Sequence, residues 1–172
     1  PLVAVYAKIA LLYGGSLPAL RILPMLAGAG MVALTVLLAR QLGGGAFAQA
    51  AAALAILIAP VHLMIGSILS MNAFEPLFWM GCIYVLIRII RGGDPRLWLM
   101  FGVLAGLGLQ NKHSTLFFGA AVAVAILATP LRRELLRPWR WIGAAVALAV
   151  FLPNIVWQWQ HDVTTLVDLR HV

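Results

Sequence analysis

Long apolar stretches, separated by short polar breaks, make up most of this sequence of 172 residues. Hydrophobic residues account for 63% of the chain and charged residues for only 10%, whereas a soluble domain carries about 25% charged residues. A helix needs roughly 20 apolar residues to cross a hydrocarbon core of about 30 Å, and lipid admits only helices or closed barrels. Because the stretches are continuous rather than alternating, we expect an all-α, polytopic transmembrane helical bundle.

Six stretches are candidates for membrane spans. They cover approximately residues 17–39, 46–65, 69–87, 97–110, 115–129 and 141–157. The sequences Gly43-Gly44-Gly45 and Gly92-Gly93-Asp94-Pro95 predict tight turns between consecutive spans. By domain, we expect an outer interfacial segment at residues 1–16, a transmembrane helical region at residues 17–157, and the start of an outer loop at residues 158–172.

Arginines collect at every second break, which predicts the orientation of the chain. They are Arg40, then Arg88, Arg91 and Arg96, then Arg132, Arg133, Arg137 and Arg140. Because loops rich in Lys and Arg stay in the cytoplasm, we expect both ends of this chain on the outer side of a bacterial inner membrane. The same rule accounts for the net charge of +7, so we exclude nucleic acid as a partner.

The sequence offers no sign of a disulfide, a metal site or a secretion signal. Cys82 is the single cysteine and lies inside an apolar stretch. No two histidines have the i, i+4 spacing of helical zinc motifs. The polypeptide begins with Pro1 rather than Met and lacks a signal-peptide pattern, so we expect an internal piece of a longer protein.

Glu75 precedes Pro76 near the outer end of the third stretch. Proline is favoured in the first turn of a helix, so a helix that starts at Pro76 would be capped by Glu75. From there to Arg88 the helix would rise only about 20 Å, which places the carboxylate below the outer surface. An acid at that depth predicts a functional site; the alternative is a plain N-cap at the interface.

Three basic side chains accompany Glu75 at the same edge. Lys112 must lie in an outer turn, because one helix over residues 97–129 would be about 50 Å long. It either faces an anionic group, with Glu75 or a phosphate as candidates, or extends harmlessly to the headgroups. Arg21, at the outer start of the first span, is a second candidate cation or an interface anchor. His62 is more often a hydrogen-bonded residue at a span end than a ligand.

Several short motifs resemble those of the membrane glycosyltransferases of family 39. In chain order they are residues 16–24 (SLPALRILP), 38–44 (LARQLGG), 70–75 (SMNAFE), 106–114 (GLGLQNKHS) and 153–157 (PNIVW). The family includes the dolichyl-phosphate-mannose–protein mannosyltransferases and the bacterial aminoarabinose transferases that act on lipid A. The resemblance covers nearly the whole chain and implies a GT-C fold. It also implies inverting transfer of a sugar from a polyprenyl-phosphate carrier to a lipid or protein acceptor at the outer membrane face.

The resemblance further implies roles for individual residues. Arg21 and Lys112 would stabilise the negative charge of the departing lipid phosphate. Glu75 matches the position of an acidic residue in the family and would orient the sugar or a cation. Asn72 and His113 lie in the same two motifs and complete the predicted substrate-binding set. We expect no cofactor, although a divalent cation is compatible with the chemistry.

The family's acidic pair, which includes the catalytic carboxylate, lies in a loop that would precede Pro1. We therefore expect the catalytic residue upstream and this chain to be inactive alone. A transporter or lipid flippase is the alternative, with Glu75 and Lys112 as a coupling site; broken helices in two matching halves would favour it, and no such symmetry is visible. A scaffold subunit without chemistry would lack a recessed outer cavity.

Overall fold

A computed structural model describes residues 5–8, 17–66, 68–129, 131–132 and 137–160 of the chain. The helices of residues 17–160 are α1 (Leu17–Gln41), α2 (Ala46–Ile58), α3 (Pro60–Gly66), α4 (Met71–Ile90), α5 (Leu97–Asn111), α6 (Thr115–Ala128) and α7 (Pro138–Gln160). Within the described residues there is no β-strand, which confirms the all-α fold. Residues 5–8 are helical; the rest of the predicted interfacial segment, and residues 161–172, lie outside the described residues.

All six predicted stretches form helices, but these differ in length. Among the described residues, α1, α4 and α7 are long and apolar enough to cross a membrane, and α2 with α3 forms a fourth candidate span. The helices α5 and α6 have 15 and 14 residues, so they rise only about 21–23 Å. The chain is thus part of a multi-pass membrane protein in which two of the predicted spans are shorter than the hydrocarbon core.

The stretch at residues 46–65, predicted as one continuous span, is broken in the structure. Ala59 has extended backbone, with φ −67° and ψ 117°, and α3 leaves α2 at an angle of 59°. Pro60 explains the break, because proline disfavours helical backbone in the preceding residue and has no N–H to bond the turn before it. The break corrects the expectation of one uninterrupted helix, although α2 and α3 together remain a candidate span. The bend turns α3, with His62, towards α1.

The start of α4 is also a correction. This helix begins at Met71 after Ser70, whose φ of −139° and ψ of 161° are extended, and Pro76 lies inside it. Glu75 is thus in the second turn, so the expected helix start at Pro76 with Glu75 as its cap is wrong. Proline is commonest at helix starts, but packed neighbouring helices let a membrane helix carry it in its interior.

Tight packing at glycines sets the directions of α4, α5 and α7. Gly81 of α4 packs on Leu104 of α5, and further along Gly108 of α5 packs near Phe78, so these two helices are antiparallel. A Cβ on Gly102 of α5 would collide with the carbonyl group of Gly143 of α7. Small residues allow such close approach of two membrane helices.

The α5–α7 pair is parallel, since Gly106 faces Val150: a Cβ on Gly106 would lie 2.7 Å from the Cβ of Val150. The helices α1 and α4 are parallel too, since Ala27 lies in a buried cluster with Ala73 and, further along both helices, Gly30 packs on Leu77. Accordingly α1, α4 and α6 begin at one end of the bundle, where α5 and α7 end. We call this end, which holds Glu75 and Lys112, the site edge.

The opposite end, the arginine edge, holds Arg40, Arg88, Arg91 and Arg96. Both predicted glycine turns lie here and are confirmed: Gly43 and Gly92 have φ of +92° and +82°, a backbone conformation that glycine adopts without steric cost. Close to this edge, buried residues of α4, α5 and α6 form a cluster of Val85, Ile89, Trp98 and Ile126. An apolar cluster thus joins α4, α5 and α6 near the arginine edge.

Candidate functional site

A recessed ion pair lies at the site edge between α4 and the turn that follows α5. The ammonium nitrogen of Lys112 is 2.9 Å from Oε2 of Glu75 and 3.1 Å from Oδ1 of Asn72. The side chain of Glu75 is 15% exposed and that of Lys112 is 39% exposed. The Glu75 carboxylate is therefore largely removed from solvent, whereas the Lys112 side chain stays partly exposed to solvent.

Local helix geometry explains why these three side chains meet. Asn72 and Glu75 are three residues apart on α4, so they lie on the same face of the helix. Lys112 follows the last residue of α5 and has extended backbone, with φ −156° and ψ 136°. That change of direction at the end of α5 carries the lysine side chain towards α4 instead of along the helix axis.

Ser114 supplies a second partner to the same carboxylate. Its hydroxyl donates to Oε1 of Glu75. Ser114 precedes the first residue of α6 and makes no side-chain cap to that helix, although serine is a preferred N-cap residue. Its hydroxyl is committed to Glu75 instead, so each carboxylate oxygen accepts a hydrogen bond from a side chain of the same turn.

The rest of this turn joins α4 and α7. Gln110 donates to the backbone carbonyl of Val150 at 2.8 Å, and Asn111 donates to the carbonyl of Met71 at 2.8 Å. The residues 110–114, which we call the outer turn, thus connect to α7 through one side chain and to α4 through the next. Of these two contacts, the one from Asn111 reaches the helix that carries Glu75, whereas the one from Gln110 reaches the middle of α7.

His113 lies in the outer turn but points to α7 rather than to Glu75. Its Nε2 is 3.0 Å from the amide nitrogen of Gln158, and its ring meets Phe151 edge-on at 6.0 Å between centroids. The Gln158 amide also donates to the buried Asn154.

An aromatic pair underlies the carboxylate. Trp79 lies one helical turn after Glu75, and Phe118 one turn after Ser114. Their rings are stacked, with centroids 5.3 Å apart and planes inclined by 21°. The stacked rings of Trp79 and Phe118 therefore lie one helical turn beyond the hydrogen bond between Ser114 and Glu75, on the side away from the site edge.

An apolar cavity reaches Asn72, the neighbour of the ion pair. About 400 Å³ in volume, it opens between α1, α2, α3 and the start of α4, and His62 and Asn72 are its polar lining side chains. A second hollow of similar volume shares much of this wall, including His62, and adds Arg21. Asn72 belongs to both the cavity and the Lys112 contact, whereas Arg21 lies with His62 at the second hollow.

The structure therefore groups three of the five predicted site residues, Asn72, Glu75 and Lys112. His113 is in the adjoining position with its ring on α7, and Arg21 is across the cavity region. Over the part of the chain that is described, no group of three or more His, Cys, Asp or Glu side chains could hold a metal ion. His161, Asp162, Asp168 and His171 lie outside the described residues.

Sequence reasoning missed two contributors. The sequence places Ser114 and Asn111 in the motif of residues 106–114 but predicts no contact for either side chain. A serine before a helix and an asparagine at a helix end are both ordinary capping signals. Nothing in the sequence indicates that their side chains instead cross to α4.

Comparison with known proteins identifies the family of the chain. The family model described as dolichyl-phosphate-mannose-protein mannosyltransferase matches residues 1–157. The chain belongs to this family. It is also similar to the lipid A galacturonosyltransferase RgtD of Rhizobium johnstonii, with 40% identity over 76 residues, which is 42% of this chain and 16% of that protein. No solved structure matches the chain. The resemblance to the family 39 glycosyltransferases is thereby confirmed.

Proposed function

We propose that this chain forms the donor-binding part of a membrane glycosyltransferase. The whole protein would transfer a sugar from a polyprenyl-phosphate carrier to a lipid or protein acceptor at the outer face of the inner membrane. The recessed pair of Lys112 and Glu75 carries this proposal, because its partly exposed cation is bonded to Asn72, which lines an apolar cavity. Family membership supports the reaction class, and the name of the Rhizobium relative favours a lipid acceptor.

Lys112 is suited to bind the carrier phosphate. An ammonium group has three N–H donors, and two of them point to Glu75 and Asn72. The side chain is 39% exposed, so the third donor can reach a phosphate oxygen. As the sugar leaves, negative charge develops on that phosphate, and a fixed cation lowers the barrier most where charge develops.

Glu75 is suited to orienting rather than to accepting a proton. One of its oxygens accepts a hydrogen bond from Lys112 and the other from Ser114, so side chains of the protein hold the carboxylate in one orientation. Asp94, the other described carboxylate, lies in a turn at the arginine edge, where it accepts from the Arg96 N–H. We therefore propose that neither Glu75 nor Asp94 is the catalytic base, and that the base belongs to another part of the whole protein.

The apolar cavity is suited to the first part of the carrier's hydrocarbon chain. It lies among α1, α2 and α3 and reaches Asn72, so a lipid phosphate at Lys112 would have its chain beside it. Arg21 and His62 line the adjoining hollow and would offer a second polar contact to the phosphate. The arginine edge would face the cytoplasm, in keeping with the positive-inside rule.

Sugar transfer by the full-length protein tests the proposal. Purified protein in liposomes would be given polyprenyl-phosphate galacturonic acid or polyprenyl-phosphate mannose together with a lipid acceptor. Loss of one transition-state donor costs about 10²–10³ in rate, so Lys112→Met should lower transfer at least a hundredfold. Glu75→Gln should also impair it, while Arg88→Gln at the arginine edge should not.

Unchanged transfer in both site variants would refute the assignment. Movement of the intact carrier across the bilayer, without cleavage of its bond to the sugar, would instead support a transporter.

A further inference from the structure

Asn111 occupies an unusual position at the end of α5. Its side chain is 3% exposed, and its amide nitrogen donates to the backbone carbonyl of Met71 at 2.8 Å. Its Oδ1 is buried and has no hydrogen-bond partner among the described residues. The amide nitrogen of Asn111 is therefore bonded to α4, whereas its amide oxygen is buried without a hydrogen bond.

The carbonyl that Asn111 binds belongs to the turn that carries the site. In an α-helix the carbonyl of residue 71 accepts the N–H of residue 75, so Asn111 bonds the same carbonyl group as the backbone of Glu75. The following carbonyl, that of Asn72, would need an N–H from residue 76. Pro76 has none, so the helix supports this turn less firmly than an ordinary one.

Stability alone does not account for Asn111. A buried amide with an unpaired oxygen opposes folding, and an apolar side chain of the same shape would avoid that cost. The bond to Met71 has a clear geometric effect, however. It joins the residue before Lys112 to the turn that presents Asn72 and Glu75, so it sets the spacing between the two halves of the ion pair.

We propose that Asn111 is a positioning residue, which holds Asn72 and Glu75 at the correct distance from Lys112. The inference rests on the proposed glycosyl transfer. Displacing a group at a reacting centre by about 1 Å can cost about 10² in rate. Loss of the Asn111 bond should therefore reduce kcat for transfer at least tenfold and change KM less than threefold.

Gln110→Leu is a matched control for Asn111→Leu in the full-length protein. Gln110 is the adjacent residue, and its amide also donates to a backbone carbonyl of another helix at 2.8 Å, but that carbonyl is Val150 of α7. Both variants lose one bond between helices, and Asn111→Leu also removes a buried unpaired oxygen, so Gln110→Leu should lower the thermal unfolding temperature at least as much as Asn111→Leu. Only Asn111→Leu should lose kcat; equal losses of kcat in the two variants would overturn the proposal.

A double variant separates positioning from general weakening. In the Glu75→Gln background, Asn111→Leu should lower the remaining transfer less than twofold, because the group that it positions is already changed. A full tenfold loss in that background would show that Asn111 acts independently of Glu75 and would contradict the inference. If the leucine variant does not fold, Asn111→Ser serves instead, since its hydroxyl can bond the i−4 carbonyl of its own helix.

The same experiment distinguishes two kinds of failure. If Glu75→Gln by itself leaves transfer unchanged, the proposed site fails and the positioning role fails with it. If Glu75→Gln impairs transfer while Asn111→Leu and Gln110→Leu behave alike, the site stands and only the role of Asn111 is refuted.

Discussion

Removing Lys112 should destabilise the protein more than removing the charge of Glu75, because the two partners differ in burial. Lys112→Met leaves a carboxylate that is 15% exposed, with Ser114 as its described donor. Breaking a fully buried pair costs about 3–5 kcal/mol, and an exposed pair contributes about 0–1 kcal/mol. The partial exposure of Lys112 places the expected loss between these limits, at about 2–3 kcal/mol.

Glu75→Gln should cost about 1 kcal/mol, the typical value of one hydrogen bond. The amide oxygen can still accept from Ser114, and Lys112 keeps its bond to Asn72 and its access to water. In the Glu75→Gln background, Lys112→Met should also cost only about 1 kcal/mol, since no unpaired carboxylate remains. The double variant should therefore be more stable than the two single losses predict.

Unfolding in mixed detergent micelles, followed by tryptophan fluorescence, would give these free energies. The chain has six tryptophans, and none of them is altered in the variants. The reasoning is refuted if Glu75→Gln is as costly as Lys112→Met, or if the two losses simply add. Either result would mean that the carboxylate is hydrated and that the pair is an exposed surface contact.

Two further predictions concern the bundle as a whole. Gly143→Ala should destabilise the protein by at least about 2 kcal/mol through overpacking, since its Cβ would meet the Trp98 carbonyl group. In the same unfolding assay Gly119→Ala should be neutral or slightly stabilising, because the space around the new Cβ is open. Equal effects of the two variants would contradict the close α5–α7 packing. Reporter fusions at Gly43 and Gly92 should report the cytoplasm, and an outer location for either would reverse the proposed topology.

Much of the fold follows from the sequence because lipid imposes strict rules on length and polarity. The apolar stretches mark the helices, and the glycine turns at Gly43 and Gly92 are visible as sequence motifs. The break at Pro60 and the interior position of Pro76 are less predictable. A proline signals a disturbed turn, but only packing against neighbours decides whether the helix bends, begins or continues there.

The ion pair was predictable as one of two alternatives, because Glu75 and Lys112 are charged residues at similar depth. The contacts of Ser114 and Asn111 were not, since they depend on which helices are adjacent and on their register. Gly102 and Gly106 indicate that α5 packs closely against another helix. They do not indicate that this helix is α7, running parallel, so the connection from Gln110 to Val150 is visible only in three dimensions.

The short helices α5 and α6 have a consequence for the surrounding lipid. A helix of 14 residues rises about 21 Å, some 9 Å less than the hydrocarbon thickness of about 30 Å. Phe117, near the start of α6, is 80% exposed and would contact acyl chains in a bilayer. Hydrophobic mismatch of this kind thins the adjacent leaflet, which lowers the headgroups towards Lys112. A lipid phosphate could then approach the site by lateral diffusion, without being lifted out of the membrane.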